Sequence, residues 1–102
     1  MCKAIDFHGF SCCIAKQYYV IPSHYAHPRI ALILEDPDEG EIIATATINI
    51  PEEKIAVGEV IIKDYSENEG MFNVLYNAGI ISKPVRFVQS GFINSPVCNL
   101  LI

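Results

Sequence analysis

Lys63-Asp64-Tyr65-Ser66-Glu67-Asn68-Glu69-Gly70-Met71-Phe72-Asn73-Val74-Leu75-Tyr76-Asn77-Ala78-Gly79 decides the fold class, because it is the one stretch that reads as a helix in a chain otherwise patterned as strands. Ser66 offers an N-cap hydroxyl, and Glu69 stands three residues on, where its carboxylate can reach back to the Ser66 N–H as a capping box. Glu67 and Glu69 place negative charge in the first turn, where the helix dipole favours it. Met71, Val74, Leu75 and Ala78 follow the i, i+3, i+4, i+7 spacing of one buried face. Gly79 is placed to close the helix in a left-handed conformation. The spacing therefore predicts a helix over 66–78. Gly70 is the discordant residue, since an interior glycine costs about 1 kcal/mol against alanine. Either something packs closely against that turn or the helix starts later.

Outward from the helix the chain alternates like strands. Lys3–Phe7 reads as a first strand, His8-Gly9 as a two-residue hairpin turn, and Phe10–Tyr19 as the return. That pairing puts Cys2 and Cys13 on one face and Cys12 on the other. Ile21–Arg29, with Pro22 and Pro28, is an extended connection. Ile30–Glu35 is apolar on both faces and reads as a central strand, followed by a turn over Asp36–Gly40. Glu41–Ile50 alternates: Ile42, Ala44, Ala46, Ile48 and Ile50 face one way, and Thr45, Thr47 and Asn49 face the other, toward solvent. Glu59–Lys63 is a short strand feeding the helix. Val85–Gln89 and Val97–Leu101 supply two more, with a turn or bulge at Ser90-Gly91. The fold class is α+β: a curved, mainly antiparallel sheet of about six short strands with one helix packed on a face.

The 102 residues make a single domain with one modest core. Hydrophobic residues make up 51% and charged ones 19%, which excludes a disordered chain. No run of apolar residues is long enough to span a bilayer. Asp6 and His8 interrupt the N-terminal apolar stretch, so no secretory signal is expected and a cytoplasmic setting is. In that setting free thiols or a metal are expected from the four cysteines rather than disulfides. The net charge is −5. Seven carboxylates lie between Glu35 and Glu53 with no Lys or Arg among them. Such a surface disfavours nucleic-acid phosphates and suits a basic protein partner. The plainer reading is a solvated acidic loop that aids solubility.

Several blocks together resemble a known family: Tyr25-Ala26, Arg29–Leu34, Ala46–Pro51 with its Thr-x-Asn before proline, Ile62–Gly70, Ser90-Gly91-Phe92 and Pro96-Val97. In this order they resemble domain-of-unknown-function family 4313, small proteins carried on phages, plasmids and integrative conjugative elements. The resemblance spans roughly three quarters of the chain by the extent of these blocks, and Tyr65–Gly70 is its most specific part. The N-terminal hairpin fits only loosely, through Phe7 and Gly9. His24 and His27 have no counterpart in the family pattern. The resemblance implies a setting more than a reaction: small acidic proteins of mobile elements often inhibit host defence, anti-CRISPR proteins among them. It supplies no catalytic residues.

Four groups of candidate residues follow. The first is Asp64, Tyr65, Glu67 and Asn68, free to meet a partner if Ser66 and Glu69 do the capping; an exposed tyrosine among charges suits an interface. The second is a structural zinc site, with Cys2, Cys13, His24 and His27 as ligands, since zinc takes four thiolate or imidazole donors. Against it, no Cys-x-x-Cys pair exists and buried cysteine is common in cores. The third is a cysteine nucleophile, Cys12 or Cys13, with a histidine base, for which no signature exists. The fourth is the acidic tip of Glu35, Asp36, Asp38, Glu39 and Glu41. It lacks the ligand spacing of an EF-hand and reads as a charged turn, or as carboxylates standing in for phosphates. The function expected is a non-enzymatic inhibitor that binds a host Cas effector nuclease, such as Cas9, and blocks DNA loading or a conformational step. The alternatives are a housekeeping accessory protein of the element or a zinc-stapled protein-binding module.

Overall fold

The computed structural model describes residues 3–19, 27–50 and 52–102. The chain is α+β, with seven strands and one short α-helix among the described residues. The strands are β1 (Lys3–Phe7), β2 (Phe10–Tyr18), β3 (Ile30–Glu35), β4 (Ile42–Thr45), β5 (Glu59–Ile61), β6 (Arg86–Ser90) and β7 (Ile93–Asn99), with α1 (Met71–Asn77) between β5 and β6. They form two antiparallel sheets rather than the single sheet expected, ordered β1-β2-β3-β4 and β5-β7-β6. The first hairpin turns through His8 and Gly9 at φ 50° and 83°. Two successive positive φ values match the twist of the flanking strands, and Phe7 pairs with Phe10 as the sequence predicts.

The second sheet lies between two apolar clusters. On one face Val60, Ile62 and Cys98 join Phe7, Cys12, Leu32 and Leu34 of the first sheet and Met71 and Leu75 of α1 in the main core. On its other face Ile61, Val88 and Val97 pack with Ile50, Ile48 and Ile55. The segment 46–48 joins the sheets. Ala46 donates its N–H to Leu32 O in the first sheet (2.8 Å), and its own carbonyl accepts from Lys63 N (2.8 Å). Ile48 N–H reaches Ile61 O at 3.0 Å in the second sheet.

This crossing overturns the expected ten-residue alternation of Glu41–Ile50. The register against β3 skips Ile43, with Leu34 opposite Ala44 and Glu35 opposite Ile42. A bulge of that kind shifts the phase of side chains, and Ile42 ends 66% exposed. Thr47 is buried rather than solvated. Its hydroxyl accepts from Leu32 N at 3.3 Å and bonds Tyr19 Oη at 2.8 Å. The chain is leaving one sheet for the other there, and the side chain supplies the acceptor that a continuing strand would have supplied.

The helix begins later than the capping box implies. Ser66–Asn68 form one 3-10 turn, and Gly70 precedes α1 at φ 93°. No side-chain cap from Ser66 forms. Instead Asp64 Oδ1 accepts the Phe72 N–H at 2.9 Å, which satisfies one of the orphan donors of the first turn. Of the two readings of Gly70, the later start is the one found. Its left-handed backbone is costly for any side chain, so Gly70→Ala is expected to lower unfolding free energy by about 1–2 kcal/mol. Urea titration checks this, and an unchanged midpoint would refute it. The C-terminus follows the sequence reading. Gly79 sits at φ 75°, Ile80 N–H donates to Leu75 O at 3.0 Å and Gly79 N–H to Tyr76 O at 3.1 Å. That is a Schellman motif.

Pro96 falls inside β7, the central strand of its sheet. Its carbonyl faces β5, accepting from Ile62 N at 2.9 Å. In an antiparallel strand the nitrogen of the same residue faces the same way. Regular β5–β7 pairing ends at Ile61 opposite Val97 and the Ile62–Pro96 bond closes it, so the missing N–H falls at the end of the ladder.

Across that sheet Arg86 reaches Glu59, with both guanidinium nitrogens at 3.0 Å from its carboxylate. The hydrogen bonds from Arg86 hold Glu59 below the usual carboxylate range. A carboxyl lowered by folding stabilises the protein above its unfolded value, near 4.3, and that contribution is lost as pH falls through the lowered folded value. Thermal unfolding from neutral to acid pH should therefore lose part of its acid slope in Arg86→Gln. An identical slope in the variant would refute the assignment.

Candidate functional site

The β3–β4 turn is built by its first aspartate. Asp36 Oδ1 accepts from Asp38 N at 2.8 Å and from Glu39 N at 3.5 Å. The backbone closes beneath it, with Gly40 N donating to Asp36 O and Asp36 N to Glu41 O, both at 2.8 Å. This Asx turn leaves Asp38, Glu39 and Glu41 exposed, with Glu35 and Asp36 half-buried at the base. The two ion pairs among the described residues, Lys63–Glu67 and Arg86–Glu59, lie elsewhere. The tip is thus a prong of carboxylates that neither ion pair neutralises.

The first candidate group, Asp64, Tyr65, Glu67 and Asn68, divides. Asp64 is engaged as the remote cap of α1. Asn68 is 2% exposed, and its Nδ2 donates to Thr45 O at 2.7 Å. The expectation that Asn68 is free for a partner is therefore corrected: its amide is used to satisfy the end of the edge strand β4. Glu67 is exposed and ion-paired with Lys63, whose hydrogen bond holds its carboxyl down at about 2. The Lys63 ammonium also sits 5.6 Å from the centre of the Tyr65 ring. Tyr65, half-buried, and Glu67 remain as surface.

Between β4 and this turn runs an open cleft of about 580 Å³, lined by Tyr19, Thr47, Asn49, Lys63, Glu67 and Asn68 among others. Asn49 Oδ1 is buried there with no hydrogen-bond partner among the described residues. Sequence reasoning did not assemble this cleft. Its one local trace is Thr47-x-Asn49 before Pro51.

The zinc expectation fares differently. Cys2 and His24 lie outside the described residues. Cys13 is disulfide-bonded, which removes it as a thiolate ligand and corrects the expectation of free thiols or a metal rather than disulfides. His27 places Nδ1 3.0 Å from Pro28 O and Nε2 2.8 Å from Ile55 O, so both ring nitrogens face carbonyls. Among the described residues no three His, Cys, Asp or Glu side chains gather as a metal set. Cys12 and Cys98 are free thiols buried in the core. Burial pushes both thiols up, Cys98 to about 11, so they are packed as neutral side chains and carry little thiolate. His8 contacts Glu69 O through Nε2 at 2.8 Å and is stacked on Phe7.

No helix among the described residues is long and apolar enough to cross a membrane. Comparison with protein-family models, with curated proteins and with solved structures found no match in any of the three.

Proposed function

We propose that this protein is a non-enzymatic inhibitor from a mobile element that binds a host Cas effector nuclease and competes with its DNA. The observation that carries the reading is the acidic tip: five carboxylates on one tight turn, no cation between Glu35 and Glu53, and no ion pair from Lys63 or Arg86 reaching it. Channels that hold nucleic acid are lined with Lys and Arg. A rigid anionic prong is complementary to such a channel and is steered toward it from a distance. Glu67 lines the cleft that starts at β4, and with Tyr65 beside Lys63 it extends the contact beyond the tip. The resemblance of Tyr65–Gly70 and the other blocks to family 4313 supplies the mobile-element setting.

The test is cleavage of target DNA by a guide-loaded Cas effector, with the protein added before DNA or after it. Inhibition only when the protein is added first is the expected result. Undiminished cleavage at large molar excess in both orders would overturn the proposal.

A further inference from the structure

We propose that β6 is a self-association edge, and that two copies of the chain pair antiparallel through it about a two-fold axis at Phe87. Each other sheet edge among the described strands is guarded. β1 carries the exposed charges Lys3 and Asp6. β4 is broken by the Ile43 bulge and capped at Thr45 O by Asn68. β5 is covered by the Thr47–Ile62 bridge and by Ile48 N–H on Ile61 O. β6 has no proline, lysine or bulge between Arg86 and Ser90. An unguarded edge of this kind is a template for another strand.

The backbone fixes what β6 offers. Pro96 directs its backbone at β5, so its partner Phe87 stands in a non-hydrogen-bonded pair. The N–H and C=O of Phe87, and those of Gln89 two residues on, consequently point away from β7. Two copies centred on Phe87 exchange both of those bonds, and the joined sheet runs β5-β7-β6-β6-β7-β5. The same register sets the Phe87 rings against each other, while the Val85 N–H stays on Val97 O of its own sheet at 2.8 Å, so the new pairing ends short of Val85. Phe87 is 62% exposed in the single chain, so pairing removes apolar area from water.

Charge selects a second copy as the occupant. All twelve Asp and Glu precede residue 70, and residues 70–102 carry only Lys83 and Arg86 as charged groups. Of the ten large hydrophobic side chains exposed among the described residues, six lie in that same part of the chain. Arg86 is held by its own Glu59. Two molecules of net charge −5 can therefore meet through β6 without placing carboxylates against each other, and the isologous pairing closes at two.

Sedimentation equilibrium over about 1 μM to 1 mM tests this, a range that covers weak and moderate dimers. Twice the 11.3 kDa chain mass is expected, with Phe87→Glu weakening association at least about tenfold by facing two carboxylates across the axis. Wild type remaining at 11.3 kDa throughout, or a dimer indifferent to Phe87→Glu, would overturn the proposal. Should that variant lose its far-ultraviolet signature, Gln89→Pro reads the same question by removing an outward N–H, with Gln89→Ala as the control for the lost side-chain bond from Gln89 Nε2 to Gly91 O; a dimer equally stable in Gln89→Pro and Gln89→Ala would overturn the proposal.

Discussion

Leu75→Ala is expected to lower unfolding free energy by about 3–5 kcal/mol, the range for emptying a fully buried leucine site. Leu75 is wholly buried. It stands where α1 meets both sheets, in one cluster with Leu32 and Leu34 of β3 and Val60 of β5. Three layers converge on it, so none can close the gap without disturbing the other two, and the upper part of the range applies. A domain of this size has about 5–15 kcal/mol in total, so the variant would sit near the edge of folding. Urea titration reads it as a lower midpoint with an unchanged slope. A loss under about 1 kcal/mol would mean that α1 is not anchored in the core as described. Tyr76→Ala on the same helix, 37% exposed, should cost far less.

Neutralising the tip is expected to have the largest effect on binding. Glu35→Gln, Asp36→Asn, Asp38→Asn, Glu39→Gln and Glu41→Gln together should weaken affinity for the nuclease by about 10- to 1000-fold, at a few tenths to one kcal/mol per charge. The dependence on salt should flatten as well, because long-range attraction is what salt screens. The fold should be untouched. Asn at position 36 keeps the Oδ1 acceptor that organises the turn for Asp38 N, and relieving like-charge repulsion costs nothing. Titration calorimetry at two salt concentrations reads both effects. An unchanged affinity and an unchanged salt slope would remove the tip from the interface.

What the sequence disclosed is what local rules control. The apolar stripe of α1, its closure at Gly79 and the His8-Gly9 hairpin each depend on residues within one or two turns, and each is found as read. The helix start is different. Its cap comes from Asp64, eight residues before Phe72, and a capping box three residues wide has no view of that. Glu41–Ile50 alternates correctly as a pattern, but a bulge opposite Leu34/Glu35 and the crossing at 46–48 answer to the second sheet, which local periodicity does not contain.

The candidate site divides along the same line. The acidic tip is a matter of composition and turn chemistry, and it stands where it was expected. Asn68 looked available because nothing nearby claims it; Thr45 O, 23 residues earlier, does. His27 looked like a ligand until Ile55 O, 28 residues on, is placed beside its Nε2. The cleft draws Tyr19, Thr47, Asn49 and Lys63 from separate parts of the chain, so only the folded molecule assembles it.

The most direct test of the proposed inhibition is displacement of labelled DNA from a guide-loaded Cas effector nuclease, followed by fluorescence anisotropy as the protein is added. Competition predicts that the anisotropy falls to that of free DNA, and that the five-site tip variant needs a much higher concentration to do the same. DNA that stays bound while the protein saturates the nuclease, or no binding by the protein at all, would contradict it.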